Sequence, residues 1–108
     1  MQNIKNFDDV VLKTNISGFV RSSDILKGKN YDANKVNMTD QKDTLDFRGK
    51  VDYYHFEVDS EFKSTYYDVS IIIRDKKTII RTLCDCKQYR ATNSCKHITA
   101  AFYNYYPL

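Results

Sequence analysis

The chain has 108 residues, of which 42% are hydrophobic and 29% charged, and its formal net charge is +3. Nine tyrosines and six phenylalanines among many isoleucines and valines exclude a disordered or low-complexity chain and set the scale at one domain, or a piece of something larger. Three cysteines do not make a paired disulfide framework, no apolar run approaches the ~20 residues of a membrane span, and residues 1–20 lack a signal peptide's hydrophobic stretch, so the expectation is a cytoplasmic protein.

Residues 1–20 alternate apolar and polar positions loosely, with Phe7, Val10 and Val11 on one face of a short helix. Ser22-Ser23-Asp24 offers a helix N-cap ahead of Ile25 and Leu26, and Gly28 supplies a stop. This predicts a single helical turn, then a strand near 34–37, while the polar run 38–44 reads as a turn. Residues 45–58 are strand-like, with Tyr54, Phe56 and Val58 on one face and Tyr53 and His55 on the other. A second strand over 66–74 places Tyr67, Val69, Ile71 and Ile73 together and opposes Asp68 and Ser70 to them. After the charged turn Asp75-Lys76-Lys77, a third strand over 78–86 carries Ile79, Ile80 and Leu83, and so short a connection predicts an antiparallel hairpin. Residues 87–94 show no periodicity. Ile98, Ala101, Phe102 and Tyr105 then fall at i, i+3, i+4 and i+7, one apolar face of a helix that Asn93 or Ser94 can cap and Pro107 ends.

Chemistry concentrates at Cys84, Cys86, Cys95 and His97, which read Cys-Asp-Cys, eight residues, Cys-Lys-His. Three thiolates and an imidazole suit tetrahedral zinc. Strand positions i and i+2 project to one face, so Cys84 and Cys86 can lean toward one ion from the end of the hairpin. On a helix the same spacing points roughly 200° apart. Cys95 must therefore lie at or just before the helix start, with His97 in its first turn. A Cys84–Cys86 disulfide would stretch the permitted geometry and orphan Cys95. A Cys95–His97 catalytic pair lacks a third orienting group, and plain buried thiols are the remaining alternative. Four protein donors leave no open coordination position, so the zinc is expected to be structural.

The string Cys84-Asp85-Cys86 followed by Cys95-Lys96-His97-Ile98 resembles the SWIM zinc finger, whose CxC and CxH pairs follow a β-hairpin and open a helix. Lys87 stands where that family carries a proline. Upstream, Ile25-Leu26-Lys27-Gly28-Lys29-Asn30-Tyr31 and Leu45-Asp46-Phe47-Arg48-Gly49-Lys50-Val51 resemble the weaker pattern that precedes the finger in bacterial Swi/Snf-type helicase-like ATPases. The resemblance implies an α+β fold with a small antiparallel β-sheet, a short N-terminal helix and a C-terminal ββα finger. It divides the chain into an N-terminal β-rich part, 1–68, packing on a finger, 69–108, and implies a fragment of a larger protein. The family's finger binds DNA or protein, and it also occurs in Mutator-like transposases and ubiquitin-pathway proteins. Neither Gly28-Lys29 nor Gly49-Lys50 sits in a phosphate-binding loop of the Walker type, so this chain by itself is not expected to be an enzyme.

Positive charge gathers around the cysteines. Between Arg74 and His97 stand seven basic residues against two acidic ones, whereas the rest of the chain has ten against twelve. Lys76, Lys77, Lys87, Arg90 and Lys96 are the candidate phosphate contacts, with Tyr89, Tyr103 and Tyr106 as stacking surfaces. Such contact would be largely independent of DNA sequence and would place the protein on a bacterial nucleoid. A protein-interaction or intramolecular docking module is the competing expectation, with Tyr53, Tyr54, Tyr66 and Tyr103 as contacts. His55 reads as an ordinary surface or half-buried residue.

Overall fold

Alternation of apolar residues from Tyr54 to Val58 and from Tyr67 to Ile73 builds the sheet that organises the molecule. The computed structural model describes residues 16–47, 49–61, 64–75 and 78–105. The expectations for Phe7, Val10, Val11, Lys76, Lys77, Tyr106 and Pro107, and for the Tyr105 side chain, lie outside the described residues. Helix α1 spans Ser22–Lys29 and leads through a 3₁₀ turn, Ala33–Lys35, into strands β1 (Val36–Asp46), β2 (Gly49–Asp59), β3 (Tyr66–Arg74) and β4 (Thr78–Cys84). Helices α2 (Lys87–Thr92) and α3 (Lys96–Tyr105) follow. The strands form one antiparallel sheet in the order β1-β2-β3-β4.

Tyr54, Phe56 and Val58 of β2 and Val69, Ile71 and Ile73 of β3 are buried in one cluster with Ile98, Ala101 and Phe102 of α3. Helix α3 touches all four strands, and α1 packs on α3. The layers are thus sheet, α3 and α1. The proposed boundary after residue 68 falls inside β3, whose register with β2 runs unbroken from Val51↔Arg74 to Asp59↔Tyr66. Among the described residues no helix is long and apolar enough to cross a membrane.

Several local expectations need correction. The polar run 38–44 is strand, not turn: it forms most of β1, which pairs with β2 from Val36↔Val58 to Asp46↔Gly49. Every β1 residue after Val36 is exposed, so no apolar alternation marks it, and its backbone pairing alone makes it a strand. The predicted strand 45–58 is therefore two strands, reversed between Asp46 and Gly49. Gly49 has φ +134°, a backbone conformation that few other residues adopt.

Helix α1 is two turns long, not one, and Gly28 lies within it. A Cβ there would stand 1.9 Å from Thr99 Oγ1 and 2.7 Å from the Ala100 nitrogen, so this glycine allows α1 and α3 to touch rather than ending a helix. The third strand stops at Cys84, and the stretch after it, which shows no periodicity in sequence, forms α2. Asn93 does not cap α3. It closes α2 in the left-handed region, φ 60° and ψ 23°, with its N–H on the Tyr89 carbonyl at 2.7 Å.

Candidate metal centre

Each of the four candidate ligands sits where an element begins or ends. Cys84 closes β4 opposite Val69. Cys86 is the N-cap of α2, its sulfur accepting the Tyr89 N–H at 3.4 Å. Cys95 immediately precedes α3 and takes the Ile98 N–H, while His97 lies in that helix's first turn. This is the placement that the i, i+2 geometry of a helix demanded. Cys86 differs from expectation in leaving the strand for a helix cap. Two of the three sulfurs therefore accept bonds from helix N–H groups, a contact that by itself favours thiolate over thiol and that burial opposes.

The four side chains are buried, and their donor atoms all lie within 4.8 Å of one another. Tetrahedral zinc with Zn–S near 2.3 Å and Zn–N near 2.0 Å would space its donors about 3.5–3.8 Å apart. The cluster thus needs only a small contraction to hold such an ion, and the pair Cys84 Sγ and His97 Nδ1 already stands at 3.9 Å. The residues present fit a Cys₃His metal site. All three thiols are free of disulfides.

Electrostatics of the cluster are uneven. Cys95 is pulled down to about 5, first by its hydrogen bond with Cys84, against the opposing effect of burial, and then by bonds from His97 and the Ile98 N–H. Its partner Cys84 is pushed up by that same bond and by burial, and burial pushes Cys86 up. One sulfur thus gives up its proton readily while its neighbours hold theirs, and a divalent cation is what would release the others. His97 is clamped by aromatics: Tyr67 stacks on it with ring centroids 4.5 Å apart, and Tyr31 meets it edge-on at 5.8 Å. Tyr31 is fixed in turn by its hydroxyl, which donates to the Asp59 carbonyl at 2.6 Å.

Beside the ligands opens a cleft of about 340 Å³ whose wall includes Tyr67, Lys87, Gln88 and Arg90. Lys87 is exposed there, and Arg90 is exposed with its guanidinium on the Asp85 carbonyl at 3.0 Å. Lys96 is only partly exposed and pairs with Glu61 at 2.5 Å. Tyr89 donates its hydroxyl to the Thr82 carbonyl at 2.7 Å, and Tyr103 is half-buried against the core. Tyr54, grouped with the contact tyrosines, is instead a core residue at 1% exposure. Its alternation with Tyr53 along β2 turns it toward α3.

Sequence reasoning missed the polar residues around the ligands. Asp24, taken for an N-cap, is buried and bonded to Gln88 and Ser94, while the position before α1 is Arg21 with no side-chain cap. Burial alone would raise the Asp24 pKa, but hydrogen bonds from Ser94 and Gln88 and the charges of Arg21 and Lys27 outweigh it and hold the carboxyl below the usual range. Partners about seventy residues apart leave no local signal. His55 lies on the sheet face away from α3, between Thr39 Oγ1 at 2.6 Å and Asp68 Oδ1 at 3.2 Å.

Comparison with protein-family models, with curated proteins and with solved structures finds no match to this chain.

Proposed function

We propose that this chain is a zinc-binding accessory module of the SWIM type, serving a Swi/Snf-type helicase-like ATPase and contacting DNA largely independently of sequence. The observation that carries the reading is the convergence of Cys84, Cys86, Cys95 and His97 into one buried cluster. Their order supports the type: the β3–β4 hairpin delivers Cys84, and Cys95-Lys96-His97 opens α3. When bound, zinc would cross-link strand end, loop and helix start. A complete set of protein donors leaves no position for substrate or activated water, so the role is structural and the chain is read as a non-enzymatic module.

Three thiolates and Zn²⁺ sum to −1, and Lys87 and Arg90 stand beside that charge on an open cleft. Cations placed so are suited to phosphate oxygens, which carry no sequence information. Such contact is consistent with a cytoplasmic, nucleoid-associated protein. A second reading, a protein-docking module that ignores nucleic acid, is favoured by one feature: Leu45 is 78% and Phe47 91% exposed at the end of the β1–β2 hairpin.

The purified chain is expected to carry one zinc by elemental analysis, and to bind labelled duplex DNA with an affinity that falls steeply between two salt concentrations. Replacing Lys87 and Arg90 by alanine should weaken binding and flatten that salt dependence. No binding at low salt would remove the DNA contact and leave the docking module. A zinc-free chain whose stability is untouched by Cys95→Ser would overturn the metal reading itself.

A further inference from the structure

Helix α1 lies far upstream of the metal ligands, yet it bonds to the flanks of three of them. Asp24 is 1% exposed, and its carboxylate accepts the Ser94 hydroxyl at 2.6 Å and the Gln88 amide at 3.0 Å to each oxygen. Arg21 Nε stands 3.6 Å from the same carboxylate, and the Arg21 N–H donates to Ser94 Oγ at 3.0 Å. From the other side Thr99 Oγ1 donates to the Asp24 carbonyl at 2.6 Å. Ser94 immediately precedes Cys95, Gln88 lies two residues after Cys86, and Thr99 two residues after His97. The fourth ligand, Cys84, is held by the β3–β4 ladder instead.

A buried carboxylate is costly unless fully bonded. Here each oxygen has partners, and apart from Arg21 those partners belong to the short segments that carry the Cys86 and Cys95 sulfurs. Helix α2 is six residues long with none of them fully buried, and Tyr89 is its only side chain packed on the core, so the two ends of the stretch between Cys86 and Cys95 depend on polar bonds as well. Charge-assisted bonds of this kind are strong and directional. We infer that Asp24 is a positioning residue for the metal centre, its carboxylate tying Gln88 and Ser94 together so that the Cys86 and Cys95 sulfurs stand at donor spacing before an ion arrives. The inference rests on the metal reading above. It also makes the site a joint product of α1 and the C-terminal third of the chain, because the orienting group comes from outside the ligand-bearing segment.

The test uses the full chain, zinc affinity from competition with a chromogenic chelator, and the absorption spectrum of the Co²⁺-loaded protein. Asp24→Ala should weaken zinc about 10–100-fold and alter the cobalt d–d bands. Asp24→Asn, which keeps an acceptor oxygen for Ser94, should recover part of both. Val51→Ala, a core truncation at the end of the sheet away from Cys84, supplies the comparison for simple loss of stability and should leave the cobalt spectrum as in the parent chain. An Asp24→Ala protein with the parent's cobalt spectrum, and no greater zinc loss than Val51→Ala, would overturn the inference. If Asp24→Ala does not fold, Ser94→Ala carries the same comparison with the same two outcomes. A parent chain that takes up neither zinc nor cobalt would instead overturn the metal reading, and this inference with it.

Discussion

Gly28 shows how one residue type can be read for the wrong reason. Near the end of a short polar helix a glycine signals a stop, but here it marks the point where α1 and α3 meet. Alanine at this position would gain up to about 1 kcal/mol of helix propensity. Against that, its Cβ would meet Thr99 Oγ1 at 1.9 Å and the Ala100 main-chain nitrogen at 2.7 Å, and backbone in a packed helix cannot swing aside. Overpacking of this kind costs about 1–3 kcal/mol. Gly28→Ala is therefore expected to lower stability in denaturant titration, and an increase would show that the two helices part easily. The candidate metal ligands behave differently at this scale. Their identities and order were legible because thiolate and imidazole chemistry is written into residue type, whereas the role of Asp24 depends on Gln88 and Ser94 reaching it across the fold.

At the scale of elements, strands β2 and β3 and helix α3 were legible, since each carries an apolar face with its own period. Strand β1 and helix α2 were not. Both lack buried side chains, β1 being an edge strand held by backbone bonds and α2 a six-residue turn of helix capped by a cysteine. A buried apolar face thus marks the elements that were read most clearly, and it also predicts where stability resides. Phe102→Ala empties a fully buried site between α3 and the sheet and is expected to cost about 3–5 kcal/mol. Leu45→Ser, on the exposed strand, should stay within about 0.5 kcal/mol. Equal losses in urea titrations of the two variants would contradict this assignment of the core.

For the molecule as a whole, the three cysteines belong to the same buried cluster as Ile16, Tyr54, Phe56 and Phe102. A metal at that place would staple the entire core and not merely the C-terminal third. Structural zinc contributes about 10–16 kcal/mol in finger peptides, which matches or exceeds the about 5–15 kcal/mol that separates folded from unfolded domains. Chelation is therefore expected to unfold the chain in one transition, with far-UV circular dichroism and the hydrogen-exchange protection of β2 lost together. Persistent protection of β2 after chelation would show that the sheet stands without the metal.

What the sequence determined by itself is the candidate ligand set, its helix-start geometry and the faces of β2, β3 and α3. These rest on residue chemistry and on side-chain periods of two and 3.6, which are local properties. Only the tertiary structure decided that the polar run after Val36 is a strand, that Cys86 caps a helix, and that Asp24 reaches the flanks of the ligands. The Cys86 cap is a local bond from the Tyr89 N–H, while the other two features come from backbone pairing and from hydrogen bonds between segments far apart in the chain. Neither leaves a periodic trace in the residues that make them.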